Sequence, residues 1–150
     1  MKKVITRSLK RLSDEEKISV YGFVIMPNHM HLIWKQNRLN GKETPKGSLL
    51  KYTAHVFTNH LRATGQLNAY VVNAANKKHE IWQRDAMGVQ VYSKDFAIQK
   101  LNYIHNNPLQ ERWKLAKHDV NYYFSSARFY ENGIDDFGFL KSIFTFFDNE

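Results

Sequence analysis

The chain has 150 residues, 43% hydrophobic and 14% aromatic, which is enough for one core and excludes a disordered chain. Its 22 Lys and Arg against 14 Asp and Glu give a net charge of +8 and an isoelectric point near 9.6. That balance suits a polyanionic partner as readily as a plain solvated surface. Cysteine is absent, which excludes disulfides and thiolate metal sites. No run reaches the ~18 apolar residues of a membrane span, and the first residues hold no signal-peptide core. A cytoplasmic location and no membrane partner are therefore expected.

Val4, Ile5, Leu9 and Leu12, with basic residues between them, predict an amphipathic helix that ends in a turn at Ser13 to Glu16. Ile18 to Met26 is rich in β-branched and aromatic residues and reads as a buried strand. Pro27-Asn28 signals a turn, and His29 to Lys35 reads as a second strand, so the two form an antiparallel hairpin. A polar loop follows to Gly47. Ser48 is expected to cap a helix running to about Ala63, with Leu49, Tyr52, Val56 and Leu61 on its apolar stripe and Gly65 as its stop. Asn68 to Lys78 fits no single pattern. Glu80 to Arg84 and Val89 to Tyr92 look like short extended pieces around Trp82. Ser93 caps the next helix, which buries Ala97, Leu101 and Ile104 and ends at Pro108. A turn and short helix, capped by Ser125 or Ser126, are expected within Asn121 to Tyr130. An aromatic helix is expected over Phe137 to Phe147. Strands and helices in this order indicate an α+β single domain over residues 1–150.

Two groups of residues carry candidate chemistry. His29 and His31 stand at i and i+2 of a strand, so they share one face about 6.6–7 Å apart along the chain. Neutral imidazoles so placed can converge on one metal ion. They also fit two ordinary histidines on a half-exposed strand. Tyr103 and Asn107 stand four apart on the predicted helix and share a face displaced from its apolar residues. A phenol is a weak nucleophile until a metal or base activates the reaction, and the Asn107 carbonyl oxygen can serve as a third ligand. A packing tyrosine and a helix-ending asparagine before proline explain the same residues. Lys51, Arg62, Lys77, Lys78, Arg84, Lys94 and Lys100 could line a groove for a phosphate backbone, with Lys51, Arg62 and Arg84 the candidate contacts and Trp82, Tyr92 or Tyr70 available to stack on bases. No glycine-rich phosphate loop, G-x-S-x-G or H-E-x-x-H is present.

The run Tyr21-Gly22-Phe23-Val24-Ile25-Met26-Pro27-Asn28-His29-Met30-His31-Leu32-Ile33-Trp34 strongly resembles the signature hairpin of the single-tyrosine HUH transposases, in which a bulky hydrophobic residue separates two histidines. Tyr103-Ile104-His105-Asn106-Asn107-Pro108-Leu109 resembles the tyrosine helix of that family, closest to the branch associated with repetitive extragenic palindromes. Ile81 to Asp85 and Tyr123 to Tyr130 are similar to further segments of that branch, in the same order. The likeness runs over nearly the whole chain to about Tyr130.

The resemblance implies a ferredoxin-like α+β domain with helices packed on an antiparallel sheet. It implies Mg²⁺ or Mn²⁺ held by His29, His31 and Asn107, with Tyr103 as the catalytic nucleophile. The implied substrate is single-stranded DNA beside a palindromic hairpin, cut through a 5′-phosphotyrosine intermediate and rejoined in transposition or recombination near the nucleoid. Family members place a β-strand ahead of the first helix. Here the first helix lies at the start of the sequence, so a sheet without that strand is expected. Its open edge would invite pairing with another chain, and a homodimer is one way to meet it. A hairpin-binding regulator that no longer cuts is the alternative function. A replication or conjugative nickase also shares the histidine pair, but such enzymes tend to be larger.

Overall fold

The computed structural model describes residues 1–74, 77–83 and 86–149. Helix α1 (Lys2–Asp14) comes first and buries Ile5, Leu9 and Leu12, a spacing of four and three that keeps them on one stripe. The chain then forms β1 (Ile18–Ile25) and β2 (Met30–Gln36), an antiparallel pair that sets Val24 opposite His31 and Ile25 opposite Met30. The expected hairpin is present. His29 itself closes the turn, its carbonyl accepting the Met26 N–H at 2.8 Å, so β2 begins one residue later than the sequence suggested.

Helices cover both faces of this pair. Phe23 and Ile25 pack with α1 and with Leu49 and Phe57 of α2 (Pro45–Ala63). Val24, Met26 and Ile33 pack on the other face with Ala97, Leu101 and Ile104 of α3 (Lys94–Asn106). Such an α+β arrangement, an antiparallel pair with helices packed against it, is compatible with a ferredoxin-like single domain. A second small hairpin, β3 (Val71–Ala74) with β4 (Lys77–His79), stands apart from the main pair. It occupies the stretch whose pattern was ambiguous.

A bulge brings α3 close to β1. The ladder skips Tyr21, with Val20 opposite Trp34 and Gly22 opposite Ile33. A Cβ at Gly22 would lie 2.6 Å from Leu101 Cδ2, so only glycine lets the helix approach this near. The outer edge of β1 is stitched to late parts of the chain. Phe23 N–H donates to Ser126 Oγ, Ile25 N–H to the Phe124 carbonyl, and Lys141 N–H to the Val20 carbonyl.

Several local expectations need correction. Thr44, not Ser48, caps α2: its hydroxyl accepts the Gly47 N–H at 3.1 Å and Pro45 takes the first turn, leaving Ser48 buried inside the helix. The buried stripe therefore runs through Leu49, Thr53, Phe57 and Leu61, and Tyr52 is 48% exposed. Helix α3 does end ahead of Pro108 as expected, at Asn106, and Asn107–Leu109 adds one 3₁₀ turn. Ser125 and Ser126 precede α4 (Ala127–Asn132) as expected, and the Ser125 hydroxyl accepts the Ala127 N–H. The terminal helix is shorter than expected, α5 (Ile143–Asp148). Before it, the Asp135 carboxylate accepts N–H bonds from Phe137, Gly138 and Leu140, and Gly138 has φ +75°, a conformation that ends any helix there. Residues 86–92 have no regular secondary structure, so the extended piece expected at Val89 to Tyr92 pairs with nothing as a strand.

Candidate functional site

The two histidines meet at the turn end of the β1–β2 hairpin. Their ring centroids lie 5.1 Å apart at 83°, because residues two apart near the strand start project to the same side. Asn28 orients the first of them. Its Oδ1 lies 2.6 Å from His29 Nδ1, which puts the proton on Nδ1 and leaves Nε2 as the lone-pair nitrogen.

Helix α3 supplies the other components. Its buried positions, Ala97, Leu101, Ile104 and His105, fix its rotation and turn Tyr103 away from the core. Tyr103 is 52% exposed, and its ring stands edge-on to His31 with centroids 5.6 Å apart. One turn on, Asn107 is only 1% exposed. Its carboxamide lies close enough to His29 to favour the protonated ring, yet its Oδ1 is buried and has no hydrogen-bond partner of good geometry. A buried carbonyl oxygen without a partner costs about 1–3 kcal/mol. Here it sits beside two imidazoles. Trp113 closes the far side, its ring 5.8 Å from His29, and its buried indole N–H is likewise unpartnered.

Electrostatics favour neutral imidazoles. Burial lowers the pKa of His29 against the opposing pull of Asn107, and the Arg112 guanidinium adds to the lowering. Burial also lowers that of His31, helped by His29 and the Lys100 ammonium. The same two cations give the site a positive field suited to a phosphate.

This donor set fits a divalent cation: two imidazole nitrogens and one orphaned carboxamide oxygen. Mixed nitrogen and oxygen donors favour Mn²⁺ over the strictly oxygen-seeking Mg²⁺. Among the described residues no group of three or more His, Cys, Asp or Glu assembles, at this site or any other, so the set here depends on the Asn107 oxygen for its third donor.

Of the residues singled out by sequence, His29, His31, Tyr103 and Asn107 come together. Lys51 and Arg62 do not join them. Both lie on α2, against the opposite face of the sheet, where Lys51 pairs with Glu43 at 2.6 Å and Arg62 donates to Asn59. Arg84 lies outside the described residues. Trp82 is engaged elsewhere, donating its indole N–H to Thr53 Oγ1, while Tyr92 is exposed and stacks on Phe96. Lys100, one of the basic residues expected to line a phosphate groove, does join the site, and Asn28, Arg112 and Trp113 complete it without having been assigned to it. Asn28 was legible as a turn residue only. Trp113 arrives through the loop beyond Pro108, whose path no periodicity encodes.

Among the described residues no helix is long and apolar enough to cross a membrane. No family model, curated protein or solved structure matches the chain.

Proposed function

We propose that the chain is a metal-dependent DNA strand transferase that cleaves and rejoins single-stranded DNA at hairpin-bearing sequences, with Tyr103 as nucleophile. The observation that carries this reading is the convergence of an exposed phenol, two imidazoles kept neutral and an orphaned buried carboxamide oxygen at one point of a basic surface. Resemblance to the single-tyrosine HUH transposases assigns the same four residues to the same chemistry.

His29, His31 and Asn107 would hold Mg²⁺ or Mn²⁺. When bound, that ion polarises the scissile phosphate and eases departure of the leaving oxygen. Tyr103 Oη forms a bond to phosphorus as the bond to the 3′ oxygen breaks. The phenolic proton goes to solvent and the 3′ oxygen leaves as a hydroxyl. The 5′-phosphotyrosine link keeps the energy of the broken bond, so a 3′-hydroxyl can attack it in reverse and rejoin strands without ATP. Lys100 and Arg112 are placed to hold the DNA phosphates beside the nucleophile. The protein would act at the nucleoid, and a homodimer is compatible with this reading.

The test is a denaturing gel. Single-stranded hairpin oligonucleotides from repeats flanking the gene are incubated with protein and Mn²⁺, beside Tyr103→Phe. The expected result is a covalent protein–DNA band that needs both metal and Tyr103. Hairpin binding without any covalent band would instead identify a binding protein that does not cut.

A further inference from the structure

We propose that the open edge of β2 takes up one extended strand of a partner polypeptide, apolar at alternate positions and acidic at its ends. The two edges of the main sheet are treated differently. The outer edge of β1 is closed by hydrogen bonds from residues 124, 126 and 141. Along the outer edge of β2, among the described residues, no backbone group of Met30–Lys35 finds a partner beyond β1. An unpaired row of N–H and C=O groups is a template for another strand.

The surroundings of this edge select a peptide. A groove of about 810 Å³ runs beside β2. One side is formed by Leu32 and Leu49, which belong to the layer of α1 and α2; the other by Ile104 and Phe147, from the layer of α3 and α5. The groove therefore lies between the two helical layers, in the plane where a neighbouring strand runs. A strand there would place alternate side chains against each apolar wall. β2 has seven residues, so its edge accommodates a strand of about 20 Å, roughly six residues. The opposite wall is the stretch 86–91, which has no ladder partner of its own.

Charge gives the partner's ends. Lys35 and Lys46 line the groove at its Gln36 end, and Lys100 lies at the other end beside His31 and Tyr103, where a peptide carboxylate would compete with the proposed DNA phosphate; none of the described residues lining the groove is acidic. Lys35 and Lys46 are exposed. A nucleic acid reaching past the Tyr103 end along the whole groove would satisfy the lysines but would bring phosphates against the apolar walls, where an unpaired charge is costly. Acidic termini on an apolar strand satisfy both.

The probe is a labelled nine-residue peptide with valine at alternate positions, threonine between them and glutamate at each end. Its binding to the full chain is followed by fluorescence anisotropy at 0.1 M salt. Saturable binding is expected, weakened at least tenfold when alternate amides of the peptide are N-methylated. Lys35→Glu with Lys46→Glu should weaken it about tenfold and reverse the preference towards a lysine-ended peptide; circular dichroism checks that this variant is folded. Equal binding of the N-methylated peptide would overturn strand addition. Sedimentation showing a dimer that the peptide does not dissociate would give the edge to a second copy and overturn the proposal. So would absence of peptide binding with tight binding of oligothymidine in the groove.

Discussion

Asn107 is where stability and function pull apart most sharply. Its side chain is almost wholly buried, and its oxygen has no hydrogen-bond partner of good geometry. Selection for stability alone would replace it with a residue of similar volume and no polar atoms. Asn107→Leu is accordingly expected to leave metal-free stability unchanged or raise it by up to about 1 kcal/mol, while removing the proposed DNA cleavage. Urea denaturation of both proteins in chelator checks the first half, and the gel assay the second. Destabilisation of more than about 1 kcal/mol would show that the amide has a structural role instead. The pairing of Tyr103 with Asn107 was legible in sequence because i and i+4 share a helix face. The neighbour that completes their surroundings, Trp113, was not, because it is delivered by loop geometry.

Helix α3 and the strand it crosses form a unit locked by His105. This side chain is buried, with Nε2 2.7 Å from Ser126 Oγ, and the Ser126 hydroxyl in turn accepts the Phe23 N–H. Burial pushes the His105 pKa down to about 4, only partly opposed by Asp119. Because the folded value lies below the unfolded value of about 6.5, the unfolded chain binds the proton first on acidification. The stabilisation is complete above about pH 6.5 and disappears as pH falls towards 4, a loss of about 3 kcal/mol. His29 and His31 act in the same direction. Denaturation midpoints between pH 7.5 and 4.5 should fall steeply, and His105→Gln should flatten the fall while keeping a partner for Ser126. An unchanged slope in that variant would remove His105 from the account. At the scale of elements, α1, the hairpin and α3 follow from periodicity. The cap of α2 does not, since Ser48 and Thr44 are both acceptable caps and Pro45 decides between them. The aromatic run before α5 looked helical because its composition is apolar, yet the Asp135 carboxylate and Gly138 hold it as a loop.

Across the whole molecule the net charge of +8 gives the proposed DNA binding a salt dependence that can be tested. If about five phosphates are contacted, single-strand affinity falls with a log–log salt slope near −3.5, roughly a hundredfold between 50 and 200 mM. Titrating a labelled hairpin oligonucleotide across that range tests this. An affinity indifferent to salt would exclude a phosphate-dominated interface. The α+β class was readable from the order of elements alone, whereas the closure of β1 by residues 124–126 and 141 was not, since such long-range stitching leaves no local pattern.

That stitching has a consequence for the order in which the protein is made. Val20 is joined to Leu140 and Lys141, about as distant in sequence as this chain permits. At synthesis rates of about 5–20 residues per second, the covering segment follows β1 by roughly 6–24 s. Throughout that interval the histidine hairpin waits with its first strand unsealed. Completion of the site is thus a late event in biogenesis, and folding of the whole chain is slowed by the loop that must close before these contacts form.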